Sequence, residues 1–254
     1  MPVLHVAASG SSGNCSCIEH KDSLIFIDAG TAFKNIAEAL SETEIKGKRI
    51  SLFLTHEHTD HVKGLQPLLN KLKPTVYTSE GTAHELERKG FDVSRFMMVD
   101  PDFVYELEDF SVTPISITHD GHEPLAFRFD LGMSKIAFAT DLGVAGSYIL
   151  EHLGEAESVI LEANYEDSLL RQGSYPEYLK KRILSHKGHL SNQEAINTVG
   201  MLSRDKLKRV IFAHVSQENN TYELLDRYTA FCRDNFCVEA MYLPRETVIR
   251  KIKL

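Results

Sequence analysis

The stretch that most constrains this chain is Leu54-Thr55-His56-Glu57-His58-Thr59-Asp60-His61, which directly follows the apolar run Ile50-Ser51-Leu52-Phe53. His56, His58, His61 and Asp60 supply nitrogen and oxygen donors with no thiolate among them, the set that suits zinc, manganese or iron in the +2 state. His56 and His58 lie two apart at the end of the apolar run, so on an extended strand end they point the same way and grip one ion. Asp60 and His61 come after the chain has turned and reach a neighbouring position. One motif thus offers two half-sites, which is what a two-metal hydrolase needs.

At 254 residues, 43% of them hydrophobic, the chain buries a full core, and no linker or composition break divides it. One domain over residues 1–254 is expected. Met1-Pro2-Val3-Leu4-His5 carries neither a basic nor an apolar leader segment, and no apolar run approaches the roughly 18 residues of a membrane span. The reading is a cytoplasmic protein without a membrane partner. Cys15, Cys17, Cys232 and Cys237 form no C-x-x-C pair and read as small buried hydrophobes in a reducing compartment. A net charge of −8 argues against coating nucleic acid by charge alone. Charge is uneven, however: from Arg171 to Arg209 nine Lys/Arg face three carboxylates. That stretch is either a substrate contact or a solvated face.

Strands are expected over Val3 to Ala8, Cys15 to Glu19 and Leu24 to Asp28, with Ser9-Gly10-Ser11-Ser12-Gly13-Asn14 as a loop that either connects or cradles an anion. Phe33, Ile36, Ala37 and Leu40 recur at helical spacing, with Thr31 as the N-cap. Helices over Gly64 to Leu72 and Ser79 to Lys89 alternate with a strand over Thr75 to Thr78, an α/β signature. His84 reads as solvent-facing. Further strands run over Phe110 to Thr118, Leu125 to Asp130 and Lys135 to Asp141, so His119 and Asp141 stand at strand ends, with His122 a near competitor for the ligand role. Ser158 to Asn164 and Arg209 to His214 are buried strands. Leu169 to Leu184 is helical but broken around Gly173 and Pro176. Ser191 and Glu194 form a capping box ahead of the stripe Ala195, Ile196, Val199 and Leu202, which fixes His189 at a helix entrance. A last strand covers Thr247 to Ile252.

The His-x-His-x-Asp-His pattern behind a strand and ahead of a helix resembles the signature of the metallo-β-lactamase superfamily. The resemblance implies an α/β fold, a four-layer αββα sandwich, with two divalent ions, Mn²⁺ or Zn²⁺. It assigns His56, His58 and His119 to one ion, Asp60, His61 and His214 to the other, and Asp141 to both, with Asp28 beneath them as support. The shared water then provides hydroxide near neutral pH. His58 stands where the flavodiiron branch has a carboxylate, which excludes that branch. Leu161-Glu162-Ala163-Asn164 resembles the His-Glu-Ala-Thr segment of RNase Z, although Leu161 and Asn164 depart from it. The likeness implies that Glu162 orients His189 as the proton donor to the leaving oxygen. Asp60, His189 and Glu162 are therefore the candidate catalytic residues. The alternative for the last two is a strand-end carboxylate and a helix-cap neighbour.

Ala8-Ser9-Gly10-Ser11-Ser12-Gly13-Asn14-Cys15, the His56–His61 motif and His189-Leu190-Ser191-Asn192 together resemble the YycJ/WalJ family of small proteins of this superfamily. That resemblance implies a DNA exonuclease acting from 5′ ends in repair, with DNA ends as the partner. Only 47 residues separate Asp141 from His189, which leaves no room for an inserted β-CASP domain. The alternative function is a hydrolase of a cyclic phosphodiester, thioester or lactone.

Overall fold

The computed structural model describes residues 1–245 and 247–254. In chain order the elements are β1 (Val3–Ala8), β2 (Cys15–His20), β3 (Ser23–Ile27), α1 (Phe33–Ala39), β4 (Arg49–Phe53), α2 (Thr59–Val62), α3 (Leu65–Leu72), β5 (Thr75–Thr78) and α4 (Glu80–Arg88). There follow β6 (Met97–Met98), β7 (Tyr105–Glu106), β8 (Ser111–Ser116), β9 (Leu125–Asp130), β10 (Lys135–Ala139), α5 (Ser147–Gly154) and β11 (Ser158–Glu162). The rest comprises α6 (Asp167–Gln172), α7 (Glu177–Ile183), α8 (Asn192–Leu202), β12 (Arg209–Ala213), α9 (Tyr222–Phe236), β13 (Glu239–Tyr242) and β14 (Ile249–Lys253). The described residues pack as two compact units, 1–116 with 121–127 and 247–254, and 117–120 with 128–245.

In the first unit a sheet runs in the order β14-β1-β2-β3-β4-β5-β6. It is antiparallel from β14 to β3 and parallel from β3 to β6. Every residue of β3 is buried, as its continuous apolar run requires. Leu24, Phe26 and Leu52 pack with Ile36 of α1, Leu65 and Leu68 of α3 and Leu86 of α4. Ala32, and not the expected Thr31, stands at the N-cap of α1, without a side-chain cap, and Thr31 instead accepts a bond from Asn35 Nδ2 at 2.9 Å. The start of α1 is thus braced from within the helix. Ser79 does cap α4, accepting from Thr82 N, and His84 is exposed as expected.

In the second unit β10-β11-β12-β13 form a parallel ladder with Leu161 beside Ala139 and Phe212, and Glu162 beside Ala213. All of β11 is buried. The helical stretch breaks between α6 and α7 at Gly173 and Pro176, and Ser191 and Glu194 make the reciprocal capping box of α8. Parallel strands end together, so the residues just past β10, β11 and β12 are neighbours, the usual place for ligands in such a sheet.

Candidate functional site

In the first unit, β4 ends at Phe53 and the chain crosses to α2 through Leu54–His58. His56 Nε2 and His58 Nδ1 face each other at 2.9 Å, a hydrogen-bond distance that sets the two rings side by side. Behind them Asp28, buried at the end of β3, accepts from Thr55 N at 2.8 Å, from Thr55 Oγ1 at 3.0 Å and from His61 Nδ1 at 2.7 Å. Thr55 Oγ1 also lies 3.0 Å from His56 Nδ1. With both Nδ1 atoms engaged, His56 and His61 each present Nε2, the arrangement in which support groups fix a ligand's tautomer. Asp60 Oδ2 stands 3.4 Å from His61 Nε2.

Asn14 carries no ligand signature in the sequence, yet it meets this cluster directly. Its Nδ2 donates to Asp60 Oδ2 at 3.3 Å and reaches His61 Nε2 at 3.1 Å, so one amide marks where both lone pairs converge. The Ser9–Asn14 loop holds that amide in place through its own polar groups. Gly10 N donates to Asn14 Oδ1, Gly13 N to Gly10 O and Asn14 N to Asp60 O. Gly30 permits the approach, because a Cβ there would stand 1.6 Å from Asp60 O. Glu57, inside the motif, turns away and accepts from the N–H and Nδ1 of His122, each at 3.0 Å. That hydrogen bond raises the pKa of His122, which is exposed.

The second unit gathers His119, Asp141, Glu162, His189 and His214. Asp141 Oδ1 lies 3.5 Å from His214 Nε2 and 3.7 Å from His119 Nε2, too long for hydrogen bonds. Ligands about 2.1 Å from a tetrahedral ion stand about 3.4 Å apart, so these gaps fit a divalent cation. Ligand atoms of Asp141, Glu162, His189 and His214 also fall within 4.8 Å of one another. His119 donates from Nδ1 to Gly188 O at 3.1 Å, and burial lowers its pKa.

Glu162 is the hub. Its Oε1 accepts from His189 Nδ1 and from His214 Nδ1, both at 2.8 Å, and its Oε2 from Leu142 N at 2.8 Å and Leu190 N at 3.2 Å. Burial alone would push this carboxyl up; the two imidazoles outweigh it and hold it below the usual glutamate range. Asn164, where the RNase Z pattern has threonine, donates from Nδ2 to His214 O at 2.8 Å. The side chains of Asp141, Glu162 and His214 are at most 3% exposed, whereas His189 is 16% exposed, so His189 is the member of this group that can touch a substrate. Asp28, Asp141 and His214 share one backbone trait, a left-handed φ of 59°, 57° and 53°.

Residues 24–215 match the family model described as the β-lactamase superfamily domain. The chain is 30% identical over 226 residues to exodeoxyribonuclease YycJ of Bacillus anthracis, covering 86% of this chain and 84% of that protein. It is 30% identical over 224 residues to exodeoxyribonuclease WalJ of Streptococcus pneumoniae serotype 2, covering 86% and 83%. Among solved structures, the metallo-β-lactamase fold protein YhfI of Bacillus subtilis superposes with a TM-score of 0.73 at 14% identity, covering 98% of each chain. That likeness shows the α/β sandwich class expected from the sequence.

Proposed function

The chain belongs to the metallo-β-lactamase superfamily and is a hydrolase of that fold, and from that premise we propose a metal-dependent DNA exonuclease working from 5′ ends in repair. The observation that carries this reading is Glu162 Oε1 held at 2.8 Å by both His189 Nδ1 and His214 Nδ1. One carboxylate orients a metal-type ligand and a solvent-reachable imidazole together, which a phosphodiester hydrolase needs and a thioester hydrolase does not. The exodeoxyribonuclease names of the relatives at 30% identity support DNA as the substrate.

In this reading His56, His58 and His119 would hold one divalent ion and Asp60, His61 and His214 the other, with Asp141 available to both. When bound, the two ions would supply an activated water at neutral pH and neutralise charge developing on the phosphoryl and leaving oxygens. Imidazole and carboxylate donors suit Zn²⁺ and Mn²⁺ alike, and Mn²⁺ is the proposed activating ion. Because Nδ1–H of His189 is committed to Glu162, its Nε2 carries the proton to the departing O3′. Asp28, Thr55 and Asn14 keep the rings and the Asp60 carboxylate aimed. Residues 1–254 act as one functional domain in a cytoplasmic setting; no helix among the described residues is long and apolar enough to cross a membrane.

The test is digestion of end-labelled duplex DNA, with and without a 5′ phosphate, by protein loaded with Mn²⁺ or Zn²⁺, with Asp60→Ala as the blank. Stepwise loss from 5′ ends, absent in the blank, is the expected result. No cleavage with either ion, alongside turnover of a cyclic phosphodiester or thioester, would move the chain to small-molecule hydrolysis.

A further inference from the structure

The basic stretch from Arg171 to Arg209 resolves into two kinds of cation. Arg171 pairs with Asp167, Lys180 with Glu177, Lys206 with Glu155, Lys208 with Glu157 and Arg209 with Glu239. Arg182 is bound to Asp120, whose other oxygen stands 3.3 Å from His119 Nε2. Lys181, Lys187 and Arg204 form no ion pair among the described residues, and all three are exposed. Lys187 lies two residues before His189, and Lys181 lies on α7 beside Arg182, which holds Asp120.

On α7, Leu179 and Ile183 pack inward with Tyr165 and Leu170. Helical spacing places Tyr178, Lys181 and Arg182 together on the outward face. Tyr178 is 75% exposed, an aromatic ring with no apolar surface to cover it. Past the helix the chain doubles back: Ser185 Oγ donates to Arg182 O, Gly188 N to Ser185 O and His189 N to Ile183 O at 3.1 Å. Residue 188 must be glycine for this, since a Cβ there would lie 2.0 Å from Ile183 O. The fold-back sets Lys187 and His189 against the end of α7.

We propose that Tyr178, Lys181 and Lys187 form a track for one strand of a DNA end, with Tyr178 stacking on a base and the two lysines meeting phosphates on the way to His189. The proposal rests on the nuclease reading above. An exposed ring flanked by unpaired cations is the arrangement that holds single-stranded nucleic acid without reading its sequence. The neutralised cations of the same stretch take no part.

The experiment is fluorescence anisotropy of a 5′-labelled, cleavage-resistant phosphorothioate oligodeoxythymidylate, titrated with the full-length, Mn²⁺-loaded chain at several salt concentrations. Thermal unfolding verifies that each variant is folded. Tyr178→Ala is expected to weaken binding roughly tenfold, and Tyr178→Phe to keep wild-type affinity, because stacking needs the ring and not the hydroxyl. Lys181→Ala with Lys187→Ala should reduce the log–log salt slope by about 1.4, at about 0.7 per phosphate on a single strand. Arg204→Ala, away from the track, should change nothing. If the wild-type chain binds DNA and these variants match it, or if Arg204→Ala has the same effect as the lysine pair, the track is wrong while the nuclease reading stands. If the wild type binds no DNA, both fall. Preference for an RNA oligonucleotide of the same length would overturn the DNA assignment.

Discussion

Replacing Glu162 with glutamine keeps shape and volume and removes only acceptor capacity. The carboxylate accepts four N–H groups, two from His189 and His214 through Oε1 and two from Leu142 and Leu190 through Oε2. Glutamine has one oxygen and an NH₂ that accepts nothing. In one orientation the two backbone N–H groups face the NH₂ and lose their partner; in the other the imidazoles do, and keep a bond only by moving their protons to Nε2, the atom a bound ion or a leaving group requires. Each hydrogen bond to a charged group contributes about 1.5–3 kcal/mol, so two lost bonds cost about 3–6 kcal/mol. In a chain this long that lowers Tm on the order of 10 °C. Glu162→Asp retains all four acceptor sites one methylene short and should fall between wild type and Glu162→Gln. Urea unfolding of both variants, with chelator and with saturating Mn²⁺, measures the difference. A Glu162→Gln loss below about 1 kcal/mol, or a greater loss for Glu162→Asp than for Glu162→Gln, would refute the four-donor account.

Two further outcomes follow from the first unit. Asn14→Ala removes the amide that meets both Asp60 and His61, so divalent-ion affinity, measured by competition with a chromophoric chelator, should fall about 10–100-fold; unchanged affinity would show that the amide aims nothing. Asp109 accepts from Ser23 Oγ and Arg49 Nη2, each at 2.6 Å, and although burial pushes its carboxyl up, these donors hold it below the usual range. A folded value below the unfolded one stabilises fully above the unfolded value near 3.9 and is lost as pH falls through the folded value. The stability gap between wild type and Asp109→Asn should therefore stay level from about pH 7 to 5 and narrow below about pH 4. A gap that widens on acidification would reverse the sign of the argument.

Local pattern carries most of what the sequence reveals. Buried strands such as β3 and β11 announce themselves as apolar runs, and the capping box of α8 is a four-residue signal. The donors of the His56–His61 turn are likewise adjacent in sequence. Supports drawn from afar are not legible: Asn14 reaches Asp60 across 46 positions from a loop whose composition suggests only a turn. Asn164 reads in sequence as a departure from a pattern, whereas its amide holds the His214 carbonyl. A charge count cannot separate the paired cations of the basic stretch from the unpaired, because Glu155, Glu157 and Glu239 lie outside it. Thr31 has the residue type of a cap, but its hydroxyl is committed to Asn35.

The left-handed backbone at Asp141 and His214 carries an implication for any attempt to harden this chain against heat. An L-residue with a Cβ held at such a φ costs about 1–2 kcal/mol that glycine would not. Selection for melting temperature alone would favour glycine at Asp141, and that change would delete a donor from the strand ends. Asp28 and His214 share the conformation but are protected by their bonds, Asp28 to Thr55 and His61 and His214 to Glu162, so relaxation there would be penalised at once. Thermostabilised descendants of this chain should therefore be screened for metal content before activity, since the most heat-resistant are the ones expected to have emptied their own strand ends.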